Sequence, residues 1–148
     1  MIIRMAVEDD ARVLADHNVM MARESENVDI DVKTTLLGVK SVLADMSKGF
    51  YLVAEEEGKI IGQLMITFEW SDWRDKNIWW IQSVYIVKDW RKKYVFQQML
   101  DEVYQLGRLQ EVDIFRLYVY ADNFGAIAAY KRLKMKQMKY LVFEKNFY

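Results

Sequence analysis

Residues 79–100 run WWIQSVYIVKDWRKKYVFQQML. The first nine (79–87) are nearly continuous in apolar side chains, which suits a central strand covered on both faces. A basic turn follows. Beyond it Val95, Met99, Val103 and Leu106 recur at spacings of four, four and three, the period of a helix. A turn that feeds a helix N-terminus presents free backbone N–H groups and the positive end of the macrodipole. With Arg91, Lys92 and Lys93 beside it, such a turn suits a diphosphate. As charges alone, the same three residues read as a solvated basic turn.

The flanking stretches extend this pattern in both directions. Upstream, FYLVAEEEGKIIGQLMITFEW (50–70) reads as two strands joined at Glu57-Gly58, with a polar turn at 71–77 before the central strand. Residues 2–6 form a short strand. Asp9 or Asp10 can cap a helix running to about Arg23 with Val13, Leu14, His17 and Met21 on one side. A second helix follows Asp31, carrying Leu36, Val39, Leu43 and Met46, and Gly49 ends the turn after it. Downstream come a strand at DIFRLYVY (113–120), a helix from Asn123 to about Leu133, and a final strand at YLVFEKNFY (140–148). The predicted order is β-α-α-β-β-β-α-β-α-β. It implies an α/β (α+β) fold, a single domain over 1–148 with a mixed sheet of six to seven strands flanked by about four helices.

Composition narrows the function classes. With 148 residues, 53% hydrophobic and 29% charged, the chain can bury one sizeable core. Twenty-one Lys+Arg against 22 Asp+Glu leave a net charge of −1, which argues against nucleic-acid binding by bulk positive charge. The absence of Cys excludes thiol catalysis and Cys-based zinc sites, and the single His17 argues against a His-rich metal site or a Ser-His-Asp triad. No apolar run approaches the roughly 20 residues of a membrane span, and MIIRMAVEDD does not read as a signal peptide. A cytoplasmic location, no membrane partner and no metal are therefore expected. Pro is absent, so turns fall to Gly, Asn, Asp and charged residues.

A second segment carries chemistry. Asn123-Phe-Gly-Ala126-Ile-Ala-Ala-Tyr130 follows a strand directly, so Asn123 can cap its helix while Ala126 and Tyr130 share one face. A Tyr there can serve as a proton donor, or simply as a core residue with a satisfied hydroxyl. Taken with the basic turn and the element order, the chain resembles the GNAT superfamily of N-acetyltransferases over nearly its whole length. Arg91-Lys-Lys-Tyr94-Val-Phe96 stands where those enzymes carry an R/Q-x-x-G-x-G/A turn, and Asn123–Tyr130 matches their N-x-x-A-x-x-x-Y helix. MARESE (21–26), TFEWSDWR (67–74) and WWIQSVYIV (79–87) are similar to a bacterial branch whose acceptor is unassigned.

The resemblance implies an acetyl-CoA-dependent N-acetyltransferase acting on a primary amine of a small molecule or peptide, with acetyl-CoA as cosubstrate. Backbone groups of Val84, Tyr85 and Ile86 would pair with the pantetheine arm in a wedge between strands 79–87 and 113–120. Amides of Arg91, Lys92, Lys93, Tyr94, Val95 and Phe96 would hold the diphosphate. Asn123 would contact pantetheine, and Tyr130 would protonate the departing thiolate.

Three departures from the family pattern stand out: Tyr94, Phe96 at the second small position of the turn, and Lys134. Tyr94 replaces the first glycine of the turn, where phosphate must approach backbone and φ > 0 is favoured. Its side chain either points into solvent or fills the phosphate site. Lys134 replaces the usual glycine after the last helix, at a structural cost. Tyr94 motivates an alternative, a catalytically impaired module that binds CoA or another ligand. An interaction protein whose own aromatics fill the wedge is a third reading.

For the base, strand 79–87 offers Gln82 and Ser83 but no carboxylate, so Glu69, Glu24 and Glu26 are the candidates, each equally readable as a surface charge. Trp70, Trp73, Trp79 and Trp80 with Glu69 and Asp72 form an aromatic–acidic cluster. With Gln82 they would make a pocket for a cationic amine; the same residues suit aromatic packing across a hairpin or a homodimer interface. His17 reads as a helix-surface or partly buried histidine.

Overall fold

The computed structural model describes residues 1–148. Its elements are β1 (Ile2–Met5), α1 (Ala11–Glu26), α2 (Val32–Ala44), β2 (Phe50–Glu56), β3 (Lys59–Ser71), β4 (Lys76–Ile86), α3 (Val95–Leu109), β5 (Phe115–Arg116) and α4 (Phe124–Arg132). The strands form one sheet in the order β1-β2-β3-β4-β5. The first four pair antiparallel and β5 runs parallel to β4, giving the mixed sheet that the element order implies.

Local chemistry explains most boundaries. Glu57 and Gly58 both take positive φ, 50° and 78°, as a two-residue hairpin turn between β2 and β3 requires. Asp31 caps α2 by accepting from the Thr34 amide at 2.8 Å, and Asn123 caps α4 by accepting from the Ala126 amide at 3.2 Å. Asp10 does not cap α1. Its carboxylate accepts from the Val7 amide and from Arg4, whose guanidinium holds it below the usual carboxylate range. Lys134 takes the left-handed cap conformation after α4, φ 64°, without the glycine that favours it.

Each sheet face has its own core. On one, α3 places Val95, Met99, Leu100 and Val103 against Leu52, Leu64, Ile66, Trp79 and Ile81. On the other, α1 and α2 place Leu14, Ala15 and Val39 against Tyr51 and Val53. Gly49 lets the chain enter β2 in close contact with β3, because a Cβ there would lie 2.2 Å from the Ile66 carbonyl oxygen. Its φ of +145° is also one that side chains rarely adopt. Gly49→Ala will therefore destabilise the fold by about 2 kcal/mol in urea unfolding, through a backbone clash that no rotamer relieves.

The strand count differs from the sequence-based expectation of six to seven. Five strands form; 113–120 contributes only Phe115–Arg116, and YLVFEKNFY (140–148) is not a strand. The cause lies in β4. Gln63 pairs with Tyr85 and Met65 with Gln82, so Ser83 and Val84 together oppose Leu64, a bulge with Ser83 at φ 52°. Pairing with β5 stops at Trp80–Arg116, before the bulge. The alternation of 117–120 and 140–148 has the period of a strand, but neither run pairs with the sheet. Leu141, Val142, Phe143 and Phe147 consequently stand exposed.

Candidate active site

The bulge and the turn behind it define the site. Beyond Trp80 no residue of β5 pairs with β4, so the β4 edge over Val84–Ile86 lies open to an extended ligand apart from the Ile86 carbonyl, which Arg91 holds. The following turn takes left-handed backbone at Lys92 (φ 62°) and Tyr94 (φ 64°). The amides of Lys92, Lys93 and Tyr94 make no backbone hydrogen bond, and α3 begins at Val95 with its own unpaired N–H groups. Such a run of free amides at a helix start is an anion cradle. Tyr94 meets the conformation that glycine favours, and it is 74% exposed. Tyr94→Gly will raise stability by about 1 kcal/mol by removing the cost of left-handed backbone, measurable as a higher urea midpoint.

The side chains of the basic turn fold back on the protein. Arg91 donates to the Ile86 carbonyl at 2.8 Å and to Glu24 at 2.8 Å, with its guanidinium 5.4 Å from the Tyr85 ring centre. Glu24 also accepts from the Tyr85 hydroxyl at 3.1 Å. Lys93 stands 5.1 Å from the Trp90 ring centre. Arg91 thus ties the turn to α1 and to the end of β4, and its guanidinium holds the turn in place.

Beneath the bulge lies a buried polar network that the sequence did not signal. Gln63 is 0% exposed. Its Oε1 is 3.0 Å from His17 Nδ1, and its amide donates to Asn18 Oδ1 at 2.8 Å and to the Ser83 carbonyl at 3.3 Å. Asn18 in turn donates to the Tyr51 hydroxyl at 3.1 Å. With the Gln63 amide turned to donate, His17 carries its proton on Nδ1. Gln63 therefore pins the strained Ser83 peptide from below. A glutamine in an otherwise apolar strand run, GQLMI, was the available signal.

Burial holds the His17 imidazole pKa below its ordinary 6.5, since desolvation outweighs the Gln63 hydrogen bond. Its neutral form is favoured in the fold while the unfolded chain takes up the proton more readily. Stability is thus fully present above pH 6.5 and falls as pH drops from there toward the lowered value. Urea unfolding between about pH 7 and pH 5.5 will show this loss in the wild type, and His17→Gln, lacking the titrating group, will remove most of that slope.

The face of the sheet beyond α1 gathers several of the remaining residues. Glu69 accepts from the Trp80 indole at 2.9 Å and faces Arg116 at 3.5 Å. Gln82 donates to Thr67 at 2.6 Å and accepts from the Tyr118 hydroxyl at 3.3 Å. Trp80 and Tyr118 have ring centres 5.9 Å apart. The other tryptophans are elsewhere. Trp79 lies in the α3-side core against Phe50, Phe68 and Phe115, while Trp70 and Trp73 stand exposed at the end of the β3–β4 hairpin. The four tryptophans thus do not share one pocket; Glu69, Trp80 and Gln82 do share a surface.

Tyr130 lies on α4 with its ring 5.8 Å from that of Phe96, next to the turn. Its hydroxyl has no hydrogen-bond partner in the protein, and burial pushes its pKa up, so it is a neutral phenol with a free proton. Of the three carboxylates, both oxygens of Glu24 and of Glu69 are engaged, while Glu26 makes no ion pair. No group of three His, Cys, Asp or Glu is placed to hold a metal, and no helix is long and apolar enough to cross a membrane.

Residues 21–135 match the model of the acetyltransferase (GNAT) family. The structure is similar to that of a "possible acetyltransferase" from Clostridium difficile 630, with 36% identity, TM-score 0.91, and 99% of this chain covering 97% of that one. It is similar also to a "probable acetyltransferase" at 18% identity and TM-score 0.83, over 100% of this chain and 99% of that one. A "predicted acetyltransferase" from Clostridium acetobutylicum solved with acetyl-CoA shares the fold at 16% identity and TM-score 0.80, over 97% of this chain and 95% of that one. No curated protein matches the chain.

Proposed function

The chain belongs to the GNAT acetyltransferase family, and we propose that it moves the acetyl group of acetyl-CoA to a primary amine of a small molecule or peptide by direct attack in a ternary complex. The observation that carries this reading is the open β4 edge running into a turn of free amides, with Tyr130 beside that turn. The residues present fit the cosubstrate: an unpaired strand edge at Val84–Ile86 suits the pantetheine amides, and the amides from Lys92 through Phe96 suit a diphosphate, whereas the Arg91 amide is already bonded to the Lys88 carbonyl. Asn123, at the start of α4, would meet the pantetheine arm.

Acetyl-CoA supplies an activated thioester. The chain's own work is to hold it, place an amine against it, and move protons. As the C–N bond forms and the C–S bond breaks, the Tyr130 hydroxyl gives its proton to the leaving sulfur. The amine loses a proton to solvent through a carboxylate, and Glu24 is the first candidate because it lies beside Tyr85 on the cofactor strand, provided that it gives up its contact with Tyr85 or Arg91 to accept the proton. Glu69 is the second candidate, held beside Trp80 and Gln82 on the acceptor face.

The impaired-module reading rests on Tyr94. Calorimetric titration of acetyl-CoA tests both readings. Micromolar binding by the native chain, followed by CoA release with an amine, supports the enzyme; binding only by Tyr94→Gly supports the impaired module. Failure of both proteins to bind would overturn the assignment of the turn.

A further inference from the structure

An open, solvent-facing cavity of about 410 Å³ lies between the end of α1, the run that follows β5, and the C-terminal stretch, with Tyr118, Tyr120 and Val142 exposed on its walls. Glu26, Tyr118, Val119, Tyr120, Ala121 and Val142 line it, so its walls are apolar and Glu26 is its one charge. Glu26 is the last residue of α1, where the helix carbonyls already concentrate negative potential. No cation of the protein compensates it. Arg23 is paired with Asp29, Arg91 with Glu24 and Arg116 with Glu69. Tyr118 and Tyr120, two apart on the same run, add exposed ring faces that attract a cation.

We infer that this cavity takes the acceptor, and that the acceptor carries a second cationic group on an apolar body; this rests on the acetyl-transfer reading above. Position links the cavity to the chemistry, because the Tyr118 hydroxyl donates to Gln82, the residue before the Ser83 bulge. The charge argument selects the class of ligand. An ammonium held by Glu26, a helix C-terminus and two aromatic faces is stabilised in its protonated form, which cannot attack a thioester. The group bound there is therefore the far cation, while the opposite, neutral amine reaches the bulge. Diamines and longer amines of that kind fit; a monoamine of the same length leaves Glu26 unanswered.

The test compares hexamethylenediamine with n-hexylamine, by calorimetric binding and by CoA release, in the native chain and in Glu26→Gln. The expected result is diamine binding at least about tenfold tighter than monoamine, a matching preference in kcat/KM, and loss of both preferences in Glu26→Gln. Acetyl-CoA affinity, measured separately, will not change in that variant. Equal binding of the two amines by the native chain overturns the inference, as does a diamine preference that survives Glu26→Gln. Preferential diamine binding without any CoA release would sink the acetyl-transfer reading and leave the cation site standing.

Discussion

Tyr130→Phe will lower kcat by about a hundredfold while leaving acetyl-CoA affinity close to that of the native chain. The substitution keeps the ring that packs on Phe96 and removes one oxygen, so little else in α4 should move. The hydroxyl has no partner in the protein, so its loss leaves no buried donor or acceptor stranded. Desolvation raises its pKa above the ordinary 10.0, so the protonated acid persists across neutral and mildly alkaline pH. A fall in rate caused by Tyr130 ionisation will accordingly appear only above pH 10.0. Single-turnover kinetics with an amine acceptor is the measurement, and an unchanged kcat would remove Tyr130 from the mechanism.

Gln63→Leu will cost about 3 kcal/mol of stability, the largest effect expected of any single polar substitution in the sheet. Leucine fills a similar volume and leaves the His17 Nδ1–H, the Asn18 amide oxygen and the Ser83 carbonyl without their partner. His17 and Asn18 are buried between α1 and the sheet, where water does not readily replace a lost bond, and the Ser83 carbonyl is part-buried beside them. The same change frees the Ser83 peptide, which holds positive φ against its steric preference. Acetyl-CoA affinity should therefore fall as well, since the bulge sets the open edge of β4. Urea unfolding and calorimetric titration measure the two effects independently. A loss of stability with unchanged affinity would make Gln63 a core residue only.

Much of this molecule is legible along the chain. The hairpin at Glu57-Gly58, the capping by Asp31 and Asn123, and the apolar period of α3 are decided by residues within a few positions of one another. Turn geometry, capping and amphipathic spacing act over that range, so sequence fixes them. The order of the basic turn and the Asn123–Tyr130 helix is likewise visible, and it points to the family whose model matches the chain.

Tertiary structure decided the rest. Whether 113–120 and 140–148 become strands depends on pairing with the sheet, and only Phe115–Arg116 pair; alternation reports which face a side chain takes, not whether a partner exists. Gln63, His17, Asn18 and Ser83 come from α1, β3 and β4 and meet only when α1 packs on the sheet. Trp79 and Trp80 are adjacent in sequence, yet the pleat sends one into the α3-side core and the other to the opposite face beside Glu69. Glu24, Glu69 and Glu26 look equivalent as carboxylates. Their roles separate because Arg91 and Arg116 fold back onto the first two, while the third is left uncompensated beside Tyr118 and Tyr120.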